Sequence, residues 1–281
     1  MTLSTDQLRS LADVLLGAWE TSKPKRLSQP RERAGKTVTS IDVARMECVV
    51  GLTRHVHETA RAITLLLDNS QPNAAVPLLR LAYESSLTSV WLVQSKGDHA
   101  ITAFMHEYSR QQGALQQNLQ KAVSATFREI APEVADTDMA NFLASSDNAR
   151  RFDLICEDLT PGGTDAYVFY RALSRLSHAG IPVVELYFAK PPAGTVIPPA
   201  RPHPRTPLGP DFILFLTNAS MVWSGRAVNY MTKERGYRGV LRDAARDLEI
   251  TSELQLSDAY RKRHATARRG ARENTLKLAT P

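Results

Sequence analysis

The sequence predicts an all-α protein: an antiparallel helical bundle with an irregular helical extension at its C-terminal end. Apolar residues recur at intervals of three and four along most of the chain, as they do on the buried face of a helix. Proline and glycine punctuate the ends of these periodic segments, and the most strand-like stretch is too isolated to imply a sheet. The 281 residues are 43% apolar and 23% charged, which is ordinary for a globular protein with a real core.

The first half of the chain carries most of the helical pattern. Ser4 and Gln7 have the spacing of a capping box, so they mark the start of the first helix. The third helix is the most apolar and is expected to be central, with Pro77 in its early turns, where proline is better tolerated. The helices are predicted over residues 4–20, 41–68, 73–95, 97–130 and 136–151, and later over 212–235 and 238–249.

Irregular segments separate these helices. Residues 21–40 predict an exposed basic loop. Residues 191–210 hold eight of the 16 prolines and predict a long surface loop or a linker between domains, of which we favour a loop within one domain. Residues 183–188 fit a short strand or an extended segment, and residues 251–281 fit a basic, frayed tail. We therefore expect one helical domain over residues 1–250.

Charge and cysteine content suggest the kind of partner and the cellular compartment. The net charge of +6 is concentrated at residues 23–36 and 261–272, which favours an anionic partner. Residues 261–272 would contact phosphate, and the alternative is a solvated terminal tail. Cys48 and Cys156 lack CxxC spacing and are expected to be buried thiols in a reducing cytoplasm. The first residues do not have the pattern of an export signal, and the best apolar window, residues 212–216, is too short to span a bilayer. We expect a soluble, cytoplasmic protein without a membrane partner.

The stretch with the most chemistry is residues 167–178, here called the site helix. Thr164 is its expected N-cap, and Gly180 followed by Pro182 is its expected stop. At about 100° per residue, an apolar side and a reactive side separate. The apolar side is predicted to hold Phe169, Leu173 and Leu176, and the reactive side Tyr167, Arg171, Ser174, Arg175 and His178.

Arg171 and His178 could act together on a phosphodiester. A histidine can exchange a proton near neutral pH, and an arginine can stabilise charge at a pentavalent phosphorus. Those groups suffice for metal-independent RNA cleavage by the 2′-hydroxyl. The alternative is a solvated basic face or a structural histidine, since Arg and His at such a spacing also arise by chance.

Arg80 and Glu84 form an i, i+4 pair inside the most apolar helix. They either form a structural ion pair or point into one pocket with Tyr170, Ser174 and His178, where Glu84 would orient an imidazole or an arginine. A di-metal bundle would need Glu-x-x-His motifs, and the sequence has none, so we predict neither a metal nor another cofactor.

Three segments together resemble a widespread bacterial all-helical family of unknown function. They are Ala74 to Glu84, with its Arg-x-x-x-Glu pattern, the preceding helix with Glu47, and Tyr170 to His178, with its Tyr-x-x-Leu-Ser-x-x-x-His pattern. The matching core covers roughly residues 41–180.

Arg171 with His178 is also similar to the Arg-x4-6-His signature of the HEPN superfamily, whose helical bundles include RNase toxins and defence nucleases. This resemblance implies a homodimer in which two site helices meet and Arg171 and His178 of both copies line one RNA cleft. It further implies a toxin or phage-defence role, with an antitoxin or other protein as a partner. Tyr167, Ser174 and Arg175 would position the RNA. The alternative is a non-catalytic helical binding module in which the Arg80 cluster is a structural polar network.

Overall fold

A computed structural model describes residues 3–22, 37–95, 97–130, 149–232 and 236–265. The predicted all-α fold is confirmed: helices dominate these residues, and a single pair of two-residue strands accompanies them there. In chain order the elements are α1 (Thr5–Ser22), α2 (Ser40–Asp68), α3 (Pro72–Gln94), α4 (His99–Gln120), α5 (Ala125–Ile130), α6 (Phe152–Glu157), β1 (Leu159–Thr160), α7 (Gly163–Ser177), α8 (Ile181–Val184), α9 (Pro210–Met231), α10 (Arg238–Asp247) and β2 (Gln255–Leu256).

Capping boxes start the first two helices. Before α1, the Ser4 amide donates to Gln7 Oε1 at 2.8 Å and the Gln7 amide donates to Ser4 Oγ at 3.3 Å, which confirms the predicted start. Before α2, Thr39 and Asp42 make the same reciprocal pair. The second box ends the basic segment predicted to be a loop, most of which (residues 23–36) lies outside the described residues.

The core forms where α2, α3 and α9 pack against one another, and α1 and α10 add further apolar surface around α9. Several buried hydroxyls of α9 donate to the carbonyl four residues earlier, as Ser224 does to Ser220 at 2.8 Å. Polar bonds also tie α9 to its neighbours: Thr53 Oγ1 donates to the Ser224 carbonyl at 3.1 Å, and Asn218 Nδ2 donates to the Leu8 carbonyl at 2.8 Å. These pairings let α9 be buried despite its polar residues.

An aromatic cluster joins α1, α2 and the start of α10. The rings of Trp19 and His57 stack at 4.4 Å, and Tyr237 meets Trp19 edge-on at 5.9 Å. Gly225 allows α9 to pack closely against Tyr237, because a Cβ at this position would lie 2.6 Å from the Tyr237 hydroxyl. Burial lowers the pKa of His57 to about 4, although its Nδ1–H donates to the Thr53 carbonyl at 2.9 Å and opposes that shift.

Several predicted boundaries were wrong. The segment predicted as one helix over residues 97–130 is interrupted by a turn at residues 121–124, between α4 and α5. The short helix α8 includes residues 183 and 184, the start of the segment 183–188 that was predicted as a strand or extended segment, while Phe188 at its end makes an isolated bridge with Ala200. The Pro-rich segment has no helix before α9 begins at Pro210. The helix predicted over residues 136–151 falls mostly outside the described residues.

The beginning of the C-terminal segment is ordered, contrary to the predicted frayed tail. β2 pairs antiparallel with β1, and the Ser257 amide donates to the Asp158 carbonyl at 2.8 Å. A helical segment follows over residues 258–265, from which Arg263 donates to Asp158 at 2.7 Å. Trp91 Nε1 donates to the same buried carboxylate at 3.0 Å. Residues 266–281, with much of the basic patch, lie outside the description.

Cys48 and Cys156 are free thiols, as predicted. Burial raises the pKa of Cys48 to about 11 and that of Cys156 to about 12, so both stay protonated at neutral pH. None of the helices in the described ranges is long and apolar enough to cross a membrane.

Candidate functional site

The site helix corresponds to α7, which packs against α3 and α6. Gly162, with φ of 137°, is its N-cap, so the prediction of Thr164 as the cap was wrong. Glycine suits this conformation because it has no Cβ to clash. Leu173 is 1% exposed and anchors the packed side, and the Tyr83 hydroxyl of α3 donates to the Ala166 carbonyl at 3.1 Å.

Arg80 of α3 binds the packed side of α7. Its Nε donates to Ser174 Oγ at 3.0 Å and its Nη2 donates to the Tyr170 hydroxyl at 2.7 Å. The guanidinium also lies 4.9 Å from the centre of the Tyr170 ring and 3.3 Å from a carboxylate oxygen of Glu84. Burial raises the pKa of Glu84, and the charge of Arg80 opposes that rise. We call Arg80, Glu84, Tyr170 and Ser174 the Arg80 cluster.

Aromatic rings extend this contact. Tyr170 lies 4.5 Å from the Phe152 ring of α6, and Tyr167 stacks beside Tyr170 at 5.9 Å between centres. The placement of Ser174 on the reactive side was wrong, because Ser174 accepts a hydrogen bond from Arg80 of α3, and Tyr167 is half-buried beside Tyr170. Phe169 was expected in the core, yet it is 42% exposed and lies 5.9 Å from the Phe212 ring. The helical period was right, but the arc that packs was rotated from the predicted one.

The opposite side of α7, here called the open side, carries exposed Arg171, Arg175 and His178. Val168, which the sequence reasoning missed, is 57% exposed. It lies three residues before Arg171 and seven before Arg175, so it belongs to the same side of the helix. Within the described parts of the chain, no side chain hydrogen-bonds or pairs with Arg171 or His178. His178 makes no hydrogen bond or ion pair with the Arg80 cluster in the described structure, so neither Arg80 nor Glu84 holds its imidazole there.

The geometry of the open side suits a polyanion better than a small ligand. Arg171 and His178 are about 10 Å apart along the helix axis, given a rise of about 1.5 Å per residue. His178 is the C-cap, with φ of −116° and ψ of 145°, so the chain turns away from the helix there. Two cations and one imidazole thus lie in a row on a solvent-facing surface.

Among the residues that the structure describes, no three His, Cys, Asp or Glu side chains are close enough to hold one metal ion.

The helices of this site lie in a part of the chain that matches a known protein family. The model of a family of unknown function, DUF5677, matches residues 46–194, which is just over half of the chain and includes all of α3 and α7. The chain belongs to this family. No curated protein and no solved structure shows significant similarity to it. The matched segment contains every member of the Arg80 cluster and of the open side, so both are features of the DUF5677 portion of the chain.

Proposed function

We propose that this DUF5677 protein is a metal-independent endoribonuclease whose open side acts on the RNA backbone. The observation that carries the proposal is the joint exposure of Arg171 and His178 on one side of α7, while the neighbouring Tyr170 and Ser174 are bound by Arg80. A structural histidine would normally be packed or paired. The Arg-x4-6-His likeness to HEPN nucleases supports the same assignment.

The reaction needs only groups present in the chain and its substrate. His178 as a general base takes the proton of the 2′-hydroxyl, and the 2′-oxygen then attacks the adjacent phosphorus. The bond from phosphorus to the 5′-oxygen breaks, and that oxygen receives a proton from a general acid. Arg171 stabilises the charge that develops on the phosphoryl oxygens. The products are a 2′,3′-cyclic phosphate and a 5′-hydroxyl.

A second copy would supply the general acid. In the homodimer that the HEPN likeness implies, two open sides face each other, and one His178 serves as base while the other serves as acid. The exposed Val168 on the open side supports such an interface, as does Ile181 at the start of α8, which is 69% exposed. Arg175 would hold the RNA backbone, and the Arg80 cluster would fix α7. The toxin or defence role, and an antitoxin as partner, follow from the same likeness.

A second candidate is a non-catalytic helical binding module. It is favoured by the Arg80 cluster, because an arginine shared among Glu84, Tyr170 and Ser174 is a common way to satisfy polar groups between packed helices. In this case Arg171 and His178 would bind a partner without chemistry.

The test is incubation of labelled total RNA with wild-type protein and His178→Ala in EDTA. We expect wild-type cleavage with 2′,3′-cyclic phosphate ends and a loss of about 10²–10⁴-fold in the variant, which is typical for removal of an acid–base group. His203→Ala is the matched control, since His203 is an exposed histidine of the Pro-rich loop. Equal cleavage by His178→Ala and wild type would refute the proposal. RNA binding without cleavage by either protein would favour the binding module.

A further inference from the structure

A cavity of about 370 Å³ is lined by residues that are distant in sequence from the open side of α7. It is bounded by the C-terminal ends of α3 and α9 and by the segment from residue 253 to 265, and its lining includes Gln94, Tyr230, Glu253, Tyr260, Arg261 and His264. Ligand pockets typically measure about 300–1,000 Å³, so this cavity suits a small ligand. Its lining combines rings, amides and charges, which is the composition of a site that orients a polar planar molecule.

The carboxylate of Glu253 is held in a fixed position in the cavity wall. The Tyr230 hydroxyl donates to one oxygen at 2.7 Å, and Arg226 of α9, which is 3% exposed, forms an ion pair with the other. A carboxylate has about four lone-pair sites, so each oxygen can still accept a hydrogen bond from a ligand. The charge of Arg226 offsets that of Glu253, and the cavity does not repel an anionic ligand on that account.

Aromatic rings offer surfaces for a planar ligand. Tyr230 lies in the last turn of α9, is 38% exposed, and has Arg226 5.5 Å from its ring centre. Tyr260 is 3% exposed and packs its ring against that of His264 at 4.1 Å, so these two rings form part of the cavity wall and leave Tyr230 as the stacking surface. Aromatic side chains bind nucleobases by stacking, independently of base identity.

Arg261 supplies a positive charge to the lining of the cavity. The side chain of Arg261 is 62% exposed and pairs with Asp258, which is 81% exposed, at 3.1 Å. Such exposed pairs contribute little energy, so Arg261 can exchange this partner for a phosphate at small cost. Arginine also matches phosphate geometry with paired N–H groups.

We propose that this cavity binds a nucleotide. The base stacks at Tyr230 and presents its donor edge to Glu253, while the phosphate contacts Arg261. Guanine fits best because its N1–H and N2–H donors are adjacent and can reach both oxygens of one carboxylate. The nucleotide is either a free nucleoside monophosphate or one residue of an RNA strand. The site uses neither Arg171 nor His178, so it goes beyond the ribonuclease proposal and can be tested separately from it.

The experiment is calorimetric titration of the full chain with GMP. Arg261→Ala should weaken GMP binding about tenfold, because a hydrogen bond to a charged group is lost. Arg246→Ala is the matched control: Arg246 is 73% exposed, pairs with Asp243 at the same i, i+3 spacing, and lies outside the cavity lining. The affinity of Arg246→Ala for GMP should equal that of the wild type.

Ring substitutions and a second ligand distinguish the remaining outcomes. Tyr230→Ala should also weaken GMP about tenfold through lost stacking, and Tyr230→Phe should retain most of the affinity. A short single-stranded RNA is titrated in parallel, and binding that depends on Tyr230 and Arg261 in this arm alone assigns the nucleotide to RNA. Absence of Tyr230-dependent binding in both arms would overturn the proposal. Competition by inorganic phosphate as strong as that by GMP would also overturn it, since it would show an anion site without base recognition.

Discussion

The two sides of α7 differ in what holds them. On the packed side, Arg80 binds Tyr170 and Ser174, and Leu173 is buried. On the open side, Arg171 directly follows Tyr170 and His178 lies four residues after Ser174, and both are exposed. Neighbouring polar residues of one helix can therefore divide between those that hold the helix in place and those that stay exposed to solvent. Substitutions on the two sides should then change different measurements.

The largest expected effect is on the packed side. Leu173→Ala should lower the free energy of unfolding by about 2–5 kcal/mol, because it removes a buried side chain and leaves a cavity. Arg171→Ala should change it by less than about 0.5 kcal/mol, as exposed substitutions do. Urea unfolding measures both. Comparable destabilisation by the two variants would mean that Arg171 is also part of the packing and that the two sides of α7 do not differ in this way.

The next effect compares a buried histidine with His178. Because the pKa of His57 is lowered from 6.5 to about 4 by burial, the unfolded state binds more protons between these values. The contribution of neutral His57 to the free energy of unfolding is fully present above pH 6.5 and decreases as the pH drops toward 4. At about 1.4 kcal/mol per pKa unit, the decrease amounts to about 3 kcal/mol. Urea unfolding at a series of pH values should show this loss in wild type and His178→Ala.

His57→Phe is the informative variant for that series. It keeps a ring beside Trp19 and removes the titrating group, so its stability should fall less between pH 6.5 and 4 than that of the wild type. An unchanged slope would assign the acid sensitivity to carboxylates instead.

A smaller effect is expected at Arg80. Arg80→Ala removes the partner of Glu84 and the donor to Ser174 and Tyr170, and should cost about 1–2 kcal/mol, less than for a fully buried pair because both charged groups are partly exposed. Arg175→Ala on the open side is the control and should be nearly neutral. Thermal unfolding measures both variants. A neutral Arg80→Ala would show that the cluster does not stabilise α7, and the case for a purely structural role would be lost.

The helices could be predicted from sequence because their signals are local. The periodicity of α2 and α3 and the box at Ser4 and Gln7 need no tertiary information. The orientation of α7 was harder, because a helical wheel separates sides without revealing which arc meets α3. An apolar Phe169 therefore suggested a buried side that the structure places partly in solvent.

The sequence carries even less information about contacts between segments that are far apart in the chain. Arg80 and Ser174 are 94 residues apart, and only the suspicion that a charged pair inside an apolar helix needs a partner suggested their proximity. The pairing of β1 with β2 rests on two residues each, too few for any alternation to be recognised. The cavity beside Tyr230 and Glu253 depends on that pairing and could not be foreseen.

The late position of α9 has a consequence for synthesis of the chain on the ribosome. Its bonds reach back 171 residues from Ser224 to Thr53 and 210 residues from Asn218 to Leu8. Until the last third of the chain has emerged, α2 and α3 lack the helix that covers their apolar surface. We therefore expect nascent chains of this protein to expose apolar helical surface until α9 has emerged, and such surface favours aggregation.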